Sequence, residues 1–402
     1  MSADPLLAHP RLFVTIVLDG VGIGAAPDAG EYGDEDADTL GHIVEKLDVS
    51  LPNLTRLGLG CIRPLRGVES VQYPGASFGR MRERAAGKDS TSGHWELAGL
   101  RLEKPFPLYP DGFPEQLLEM FRLEAGVDGV LGNVAASGTE IIARHGAEHL
   151  RSGFPIVYTS ADSVFQVAAH IDAIPLDRLY AICHAARERV LTGRHAVGRV
   201  IARPFEGHPG MFERISAARR DFSLKPPGPA LPQVLGAAGV ETVSVGKVAD
   251  LFAGIGFSRK VKTRSNEEGT GAILSEIRRH AENPADRFVW ANLVDFDQEF
   301  GHRNNPEGFA RALEAFDMAL PELTTALPTG ARLCITADHG NDPTTPGTDH
   351  TRELVPLLYF DGRTGRDLGV RDSFCDHAAT ALAYFGVPSG ERARLVMGAS
   401  FE

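Results

Sequence analysis

RLFVTIVL, at residues 11–18, is a run of apolar and β-branched residues that leads directly into Asp19 and Gly20. Such a run predicts a parallel strand buried on both faces, with an acid at its carboxyl end. Further apolar strands are predicted at 241–246, 288–294, 332–336 and 354–360. Helical patterns alternate with them at 270–281 (after a turn at 266–269), 307–327 and 376–384, the last with Asp376 as its N-cap. This alternation predicts an α/β sheet with helices on both faces.

Two proline-rich stretches interrupt the alternation. PFPLYPDGFP at 105–114 and KPPGPALP at 225–232 each contain four prolines. Because proline fixes φ and cannot continue the interior of a sheet, both stretches are candidate hinges. They predict an inserted domain at residues 103–224 and a core built from residues 1–102 and 225–402.

Composition narrows the class of protein. The chain has 402 residues, of which 43% are hydrophobic, and a formal net charge of −12. The acidic balance argues against binding a nucleic-acid backbone, and no apolar run approaches the roughly 20 residues that cross a membrane. Four cysteines lie far apart without a CxxC pair. We therefore expect reduced thiols and a cytoplasmic location.

Acidic and histidine-rich strings follow three of the predicted strands. DFDQEFGH occupies 295–302, TADHGND occupies 336–342 with His350 beyond it, and Asp19 ends the first strand. Any one of these could be a turn with a surface imidazole, but parallel strand ends converge on one edge of a sheet. Together they predict a metal site of oxygen and nitrogen ligands suited to Mn²⁺, Mg²⁺ or Zn²⁺. Of Asp295 and Asp297, only one is expected to face it.

Three hydroxyl residues lie in a row within KDSTSGHWE, at 88–96. They could simply form a turn that caps a helix beginning at Trp95. A hydroxyl at a helix N-terminus and next to a divalent metal could equally be a nucleophile or a phosphate carrier.

Together with these strings, VLDGVGIGAAPDA, GKDSTSGHWE, YTSADSVFQVAA, VGRVIARPF and NLVDFDQEFGHR resemble the bacterial phosphopentomutases of the alkaline phosphatase superfamily. The resemblance extends from Val17 to the region of His350. It implies an alkaline-phosphatase-like three-layer α/β/α core, which binds metal and carries the chemistry, with an inserted smaller α/β cap domain for the substrate.

Matching positions imply the roles of individual residues. The nucleophile is Ser90, where the family usually has Thr, although Thr91 and Ser92 stay open. Two Mn²⁺ ions are implied, with Mg²⁺ or Zn²⁺ open: one is held by Asp297, His302 and His350, the other by Asp19, Asp338, His339 and Ser90. The implied substrate-binding residues are Ser160, Asp162, Arg199, Ile201 and Lys247.

The implied reaction is the interconversion of α-D-ribose 1-phosphate and D-ribose 5-phosphate, and of the deoxyribose pair. It would pass through a phosphoserine enzyme and a bisphosphate intermediate, with a sugar 1,6-bisphosphate as the phosphorylating activator. A two-metal phosphatase or another hydrolase on the same core is the alternative, and a non-catalytic binding protein is a more distant one. The expected partners are small-molecule pentose phosphates, with no nucleic acid, membrane or obligate protein partner.

Overall fold

A computed structural model describes residues 10–160, 162–388 and 398–401. Its contacts divide the chain into two compact units, Met1–Lys104 with Pro226–Glu402, and Pro105–Lys225. These bounds lie within two residues of those expected from the proline-rich stretches. That the second unit is a substrate domain stays a prediction.

The strands of the described residues are β1 (Leu12–Leu18), β2 (Ser77–Met81), β3 (Leu131–Ala135), β4 (Ile156–Thr159), β5 (Val164–His170), β6 (Arg199–His208), β7 (Met211–Arg214), β8 (Arg220–Ser223), β9 (Glu241–Val245), β10 (Arg259–Val261), β11 (Arg287–Leu293), β12 (Arg332–Thr336), β13 (Val355–Phe360) and β14 (Asp367–Arg371).

The α-helices of the same residues are α1 (Thr39–Lys46), α2 (Pro52–Leu57), α3 (Leu59–Ile62), α4 (Ser90–Leu97), α5 (Glu115–Ala125), α6 (Gly138–Ser152), α7 (Leu176–Ala185), α8 (Leu231–Ala237), α9 (Val248–Leu251), α10 (Asn266–Glu282), α11 (Pro306–Ala326) and α12 (Cys375–Tyr384). None of the helices that the structure describes is long and apolar enough to span a membrane.

The first unit is built on one sheet with the strand order β10-β9-β11-β1-β12-β13-β2-β14. Strands β9, β11, β1 and β12 run parallel to one another, whereas β13 is antiparallel to both of its neighbours. Every residue of β1 is buried, which explains why its sequence is apolar without alternation.

Helices cover both faces of this sheet. Helix α4 contacts α9 and α12, and α12 also contacts α8. A separate group forms where α11 packs against α1, α2 and α10. The expected three-layer α/β/α core is confirmed.

The second unit contains a smaller sheet of order β3-β4-β5-β6-β7, with β8 paired to β6. One face packs against α5 and α7 through Phe121, Phe165 and Ile182. The other face carries a smaller apolar cluster with Ile141 and Phe205, which includes residues of α6. This unit is therefore also α/β.

Three predicted helix starts were wrong. Helix α10 begins at Asn266, within the expected turn, because Ser265 caps it by accepting from Glu268 N. Asp376 lies inside α12 and accepts from Arg371 Nε at 2.7 Å. Helix α4 begins at Ser90 and not at Trp95.

Candidate metal centre

Four parallel strands end beside one another in the first unit. Lys247 follows β9, Asp297 follows β11, Asp19 follows β1, and Asp338 with His339 follows β12. Since β9, β11, β1 and β12 are adjacent and parallel, these side chains share the carboxyl edge of the sheet, where α/β proteins place their ligands.

Asp297, His302 and His350 form the first cluster, and their ligand atoms lie within 4.8 Å of one another. His302 Nε2 is 3.3 Å from Asp297 Oδ2, and His350 Nε2 is 3.4 Å from Asp297 Oδ1. His302 Nδ1 donates to the Thr348 carbonyl at 2.6 Å, which fixes the ring with Nε2 toward Asp297. Asp295 does not join them, because its Oδ2 accepts from Asn266 N.

Asp19, Asp338 and His339 form the second cluster, again with ligand atoms within 4.8 Å, and all three residues are fully buried. His339 Nε2 is 3.4 Å from Asp19 Oδ1 and 3.5 Å from Asp338 Oδ2. The rings of His339 and His350 are 4.2 Å apart. The two clusters are therefore neighbours, as two metals acting on one group would require.

The electrostatics of the two clusters fit cations. Burial lowers the pKa of His339, but attraction by Asp338, Asp297 and Asp19 outweighs it and raises that pKa to about 10. The pKa of Asp297 is lowered despite its burial, because His350, His302 and Lys247 surround it. Buried carboxylates that stay ionised among cationic groups, together with imidazole nitrogens, are the donors that divalent metals take.

Ser90 is the hydroxyl that reaches this edge. Its Oγ lies 3.1 Å from His339 Nε2 and 3.5 Å from Asp19 Oδ1, and it accepts a hydrogen bond from Lys247 Nζ at 2.8 Å. Ser92 instead belongs to the capping box of α4, where its Oγ donates to the Asp89 carbonyl. The helix N-terminus therefore presents Ser90 to the clusters.

Comparison with known proteins places the chain in a family. A family model described as the metalloenzyme superfamily matches residues 11–389. The chain is 52% identical over 376 residues to a phosphopentomutase of Caldanaerobacter subterraneus subsp. tengcongensis, covering 93% of this chain and 94% of that protein. It is 50% identical over 384 residues to a phosphopentomutase of Anaeromyxobacter dehalogenans, covering 94% and 96%.

The chain belongs to the phosphopentomutase family. It is therefore an enzyme of the isomerase class that this family name describes, and a member of the metalloenzyme superfamily. Solved structures similar to it include the PH0037 protein of Pyrococcus horikoshii, with a TM-score of 0.47, 15% identity and coverage of 95% of this chain and 98% of that one. A phosphoglycerate mutase of Leishmania mexicana has a TM-score of 0.46, 14% identity and coverage of 94% and 96%.

Lys247, an expected substrate-binding residue, lies in the first unit and contacts two residues of the proposed centre. Its Nζ is 2.5 Å from Asp19 Oδ2 and also contacts Ser90 Oγ. Burial lowers the pKa of Lys247, but Asp19, Asp297 and Asp338 outweigh it and leave the pKa raised. The side chain is therefore an ammonium that donates to the Ser90 hydroxyl.

Two residues behind the clusters were not singled out from the sequence, although His94 lies within KDSTSGHWE and Asn341 directly follows ADHG. Asn341 Nδ2 donates to Asp297 Oδ1 at 2.7 Å. His94 Nδ1 lies 3.1 Å from Asp338 Oδ2 and 2.9 Å from the Ser90 carbonyl, and its ring stacks on Trp290. Partners of this kind hold metal ligands in place. The contacts that suggest this role for Asn341 and His94 are visible only in the three-dimensional structure.

The remaining expected substrate residues lie together in the second unit. Ser160 and Asp162 stand between β4 and β5, and Arg199 begins β6 opposite Val164 of β5. Arg199 Nη2 is 3.4 Å from Asp162 Oδ2. Ile201 lies two residues further along β6, opposite Gln166. The role of these residues stays a prediction.

Proposed function

We propose that the chain interconverts α-D-ribose 1-phosphate and D-ribose 5-phosphate, and the deoxyribose pair, through a phosphorylated Ser90 and a bisphosphate intermediate. The observation that carries this proposal is the position of the Ser90 hydroxyl, beside Asp19, His339 and Lys247 and next to two clusters of metal-ligating groups. The relatives that match nearly the whole chain are themselves named phosphopentomutases.

Two Mn²⁺ ions are the proposed metals, with Mg²⁺ or Zn²⁺ as substitutes. Asp297, His302 and His350 would hold one of them. The other would be held by Asp19, Asp338, His339 and Ser90 Oγ. When bound, such ions neutralise charge on phosphoryl oxygens and lower the pKa of a coordinated hydroxyl.

In the first half-reaction, phospho-Ser90 gives its phosphoryl group to the free hydroxyl of the sugar phosphate. A bond forms between phosphorus and the sugar oxygen, the bond from phosphorus to Ser90 Oγ breaks, and the hydroxyl proton is returned to Ser90 Oγ. The Lys247 ammonium, 2.8 Å from Oγ, stabilises negative charge on that oxygen as it leaves.

In the second half-reaction, Ser90 Oγ takes the other phosphoryl group of the bisphosphate. The phosphorus bond to the sugar oxygen breaks, and the proton of the Ser90 hydroxyl passes to that oxygen. No net proton or phosphate is consumed, and a sugar 1,6-bisphosphate is needed only to phosphorylate Ser90 at the start.

Recognition of the sugar phosphate is assigned to Ser160, Asp162, Arg199 and Ile201. The planar fork of Arg199 suits a phosphate group, and the Asp162 carboxylate can accept hydrogen bonds from sugar hydroxyls. These two side chains form an ion pair, so they are adjacent in the second unit.

A phosphatase with the same metal ligands is the alternative, and one spectrum separates the two activities. The purified chain is incubated with Mn²⁺, ribose 5-phosphate and a trace of glucose 1,6-bisphosphate, and followed by ³¹P NMR. Appearance of ribose 1-phosphate up to an equilibrium mixture, with little inorganic phosphate, supports the mutase. Steady release of inorganic phosphate without the 1-phosphate would replace it by a phosphatase.

A further inference from the structure

Glu353 is a buried carboxylate of the first unit to which no role has been given. It is only 1% exposed, and no ion pair links it to another of the residues that the structure describes. Arg352, its neighbour in the chain, directs its guanidinium to Glu83 and Asp28 instead. Burying a carboxylate without a cation is costly unless hydrogen bonds satisfy it. The groups that donate to Glu353 therefore indicate what this side chain holds in place.

Four hydrogen bonds converge on the Glu353 carboxylate. Its Oε1 accepts from Thr39 Oγ1 at 2.6 Å and from Thr351 Oγ1 at 2.7 Å. Its Oε2 accepts from Thr39 N at 2.9 Å and from Gly24 N at 3.1 Å. Burial raises the pKa of Glu353 to about 7, and these hydrogen bonds act in the opposite direction. The ionised form suits the four donors, since a protonated carboxyl would need an acceptor of its own.

Two glycines leave room for this carboxylate. A Cβ added at Gly22 or at Gly340 would collide with Glu353. Gly22 lies three residues after Asp19, and Gly340 directly follows His339. Glu353 therefore packs closely against the backbone of two segments that carry proposed metal ligands.

A hydrogen-bonded path leads from Glu353 to Asp297. Thr39, the first residue of α1, is fully buried, and its hydroxyl proton is donated to Glu353. The same hydroxyl oxygen accepts from Asn341 N at 3.1 Å. The Asn341 amide in turn donates to Asp297 Oδ1 at 2.7 Å. Glu353 thereby sets the direction of the Thr39 hydroxyl, and this hydroxyl holds the residue behind Asp297.

A second path leads from Glu353 to His350. The Thr351 side chain donates to Glu353, and the Thr351 backbone exchanges two hydrogen bonds with Gly340, at 2.8 and 3.1 Å. The Gly340 carbonyl also accepts from His339 Nδ1 at 3.0 Å. His350 directly precedes Thr351. Glu353 therefore fixes the residue next to one proposed metal ligand, and through it the backbone beside another.

We propose that Glu353 is a positioning residue of the metal centre, whose carboxylate acts through Thr39 and Thr351 to hold Asp297 and His350 in the arrangement that binds metal. That a metal occupies the first cluster rests on the proposed function. Glu353 contacts no proposed metal ligand directly, so its effect passes through the hydrogen bonds of its partners. Outer partners of this kind commonly change metal affinity 10- to 100-fold.

Mn²⁺ affinity, measured by competition with a coloured chelator at about pH 8, tests this role without turnover. The pH lies above the pKa of Glu353. Glu353→Gln keeps the shape of the side chain but replaces one acceptor oxygen by a donor amide. Glu96→Gln is the matched control, because Glu96 is also fully buried and its pKa is also raised by burial. The Glu96 carboxylate likewise accepts four hydrogen bonds, but from groups that adjoin no proposed metal ligand in the chain: Arg84 N, Ala85 N, Phe374 N and Ser373 Oγ.

A second pair of variants tests the path through Thr39. Thr39→Val removes the hydroxyl that stands between Glu353 and Asn341, whereas Thr39→Ser retains it. Thermal melts establish that each variant is folded. If Glu353→Gln does not fold, the comparison of Thr39→Val with Thr39→Ser takes its place.

We expect Glu353→Gln to weaken Mn²⁺ binding roughly tenfold, and Thr39→Val to weaken it as well. Glu96→Gln and Thr39→Ser should stay within about twofold of the unaltered protein, too small a change for a lost outer partner. Raising the Mn²⁺ concentration should restore the turnover of Glu353→Gln, because mass action offsets weaker binding. A loss of turnover through general destabilisation would not respond to Mn²⁺ in this way.

Equal Mn²⁺ affinity in Glu353→Gln and Glu96→Gln would overturn the role of Glu353. Where only the second pair folds, equal affinity in Thr39→Val and Thr39→Ser would overturn it.

Failure of the proposed function would look different. An unaltered protein that binds no Mn²⁺, Mg²⁺ or Zn²⁺ refutes the proposed metal centre, and with it any role of Glu353 there. An unaltered protein that binds metal but shows no mutase activity in the ³¹P NMR assay refutes the proposed reaction alone. A Glu353-dependent Mn²⁺ affinity would then still establish the positioning role, because the chelator measurement involves no turnover.

Discussion

Ser90, the proposed nucleophile, has two contacts and a position in its helix that suit this role. Lys247 donates to its oxygen, His339 Nε2 stands 3.1 Å away, and its place as the first residue of α4 keeps the side chain at a helix N-terminus. The Lys247 ammonium and the helix N-terminus both favour the ionised form of this hydroxyl. Thr91 and Ser92 are both buried in the same helix turn.

Ser90→Ala is predicted to lower mutase turnover at least about a thousandfold, because no neighbouring oxygen replaces a covalent nucleophile. The ³¹P NMR assay measures turnover, and metal analysis should still find the ion of the Asp297 cluster. Thr91→Val serves as the control and should retain turnover. Full activity of Ser90→Ala with loss in Thr91→Val would assign the nucleophile to Thr91.

Asn341→Ala is predicted to weaken metal binding roughly 10- to 100-fold, the range for an outer partner of a metal ligand. The Asn341 amide donates to Asp297 Oδ1, and without it the carboxylate is free to turn. Competition with a coloured chelator would measure the Mn²⁺ affinity. Gln298→Ala, one residue from Asp297 but exposed, should leave it unchanged; similar losses in both variants would contradict a specific role for Asn341.

At the scale of elements, the segment that leads into α4 is held by Arg352. This side chain is 2% exposed and donates to the carbonyls of Glu83, Ala85 and Gly87 as well as to the Glu83 carboxylate. The same chain segment carries His350 two residues earlier. One buried guanidinium thereby connects the segment that precedes Ser90 to the segment that carries His350, a proposed metal ligand.

Arg352→Met is predicted to lower the free energy of unfolding by about 3–5 kcal/mol, because Glu83 becomes a buried carboxylate without its partner. Urea unfolding measures the loss, and Arg352→Met with Glu83→Gln should recover part of it. Arg278→Met breaks the exposed pair with Glu322 and should cost less than about 1 kcal/mol. Equal decreases in the free energy of unfolding in Arg352→Met and Arg278→Met would contradict the prediction that the buried pair contributes more than the exposed one.

The backbone turn that carries Asp297 determines which of two neighbouring acids joins the first cluster. Only one of Asp295 and Asp297 is expected to face the site, and the backbone decides which: Phe296–Phe300 is a π-helical turn followed by the short 3₁₀ turn Gly301–Arg303. Such wide turns recur at functional sites. Here they bring Asp297 and His302 together, five residues apart, while Asp295 binds the start of α10.

At the scale of the whole molecule, stability near neutral pH depends on a histidine far from the proposed chemistry. His377 of α12 lies in the core against β1, with Nδ1 donating to the Leu97 carbonyl and Nε2 accepting from Thr15 Oγ1. Burial lowers the pKa of His377 to about 4. Protonation would require breaking the bond to Thr15, so the folded protein keeps this ring neutral.

Acidification is therefore predicted to destabilise the protein through His377. The pKa of His377 is lower in the folded than in the unfolded protein, where it is about 6.5. The contribution of His377 to the free energy of unfolding is therefore complete above pH 6.5 and is lost as the pH falls toward 4. The loss is at most about 3 kcal/mol. Urea unfolding at pH 7 and pH 4.5 would measure how much the free energy of unfolding falls with pH. His377→Gln should reduce this pH-dependent loss of stability, whereas His208→Gln, at an exposed position, should not. Identical losses in both variants would contradict the attribution of the loss to His377.

Removal of divalent metal is predicted to lower the melting temperature, because Asp19, Asp297 and Asp338 then repel one another in a buried place. A metal at about 100 times its Kd stabilises the folded state by about 2.7 kcal/mol. Melting with EDTA, and after return of Mn²⁺, Mg²⁺ or Zn²⁺, measures the effect. Asp297→Asn should reduce the difference between the melting temperatures with and without metal. A melting temperature of the unaltered chain that does not depend on metal would contradict a buried metal centre.

The sequence by itself determined the α/β class, the acids at the strand ends and the residue types at the proposed centre, because apolar runs and short motifs are local properties. It could not determine which strand ends meet, since that depends on the order β9-β11-β1-β12. Only the tertiary structure shows that Ser90, of the three hydroxyls, lies beside the clusters, and that Lys247, 157 residues away in the chain, contacts it. Contacts between residues so far apart leave no periodicity in the sequence, and the packing of the sheet alone brings them together.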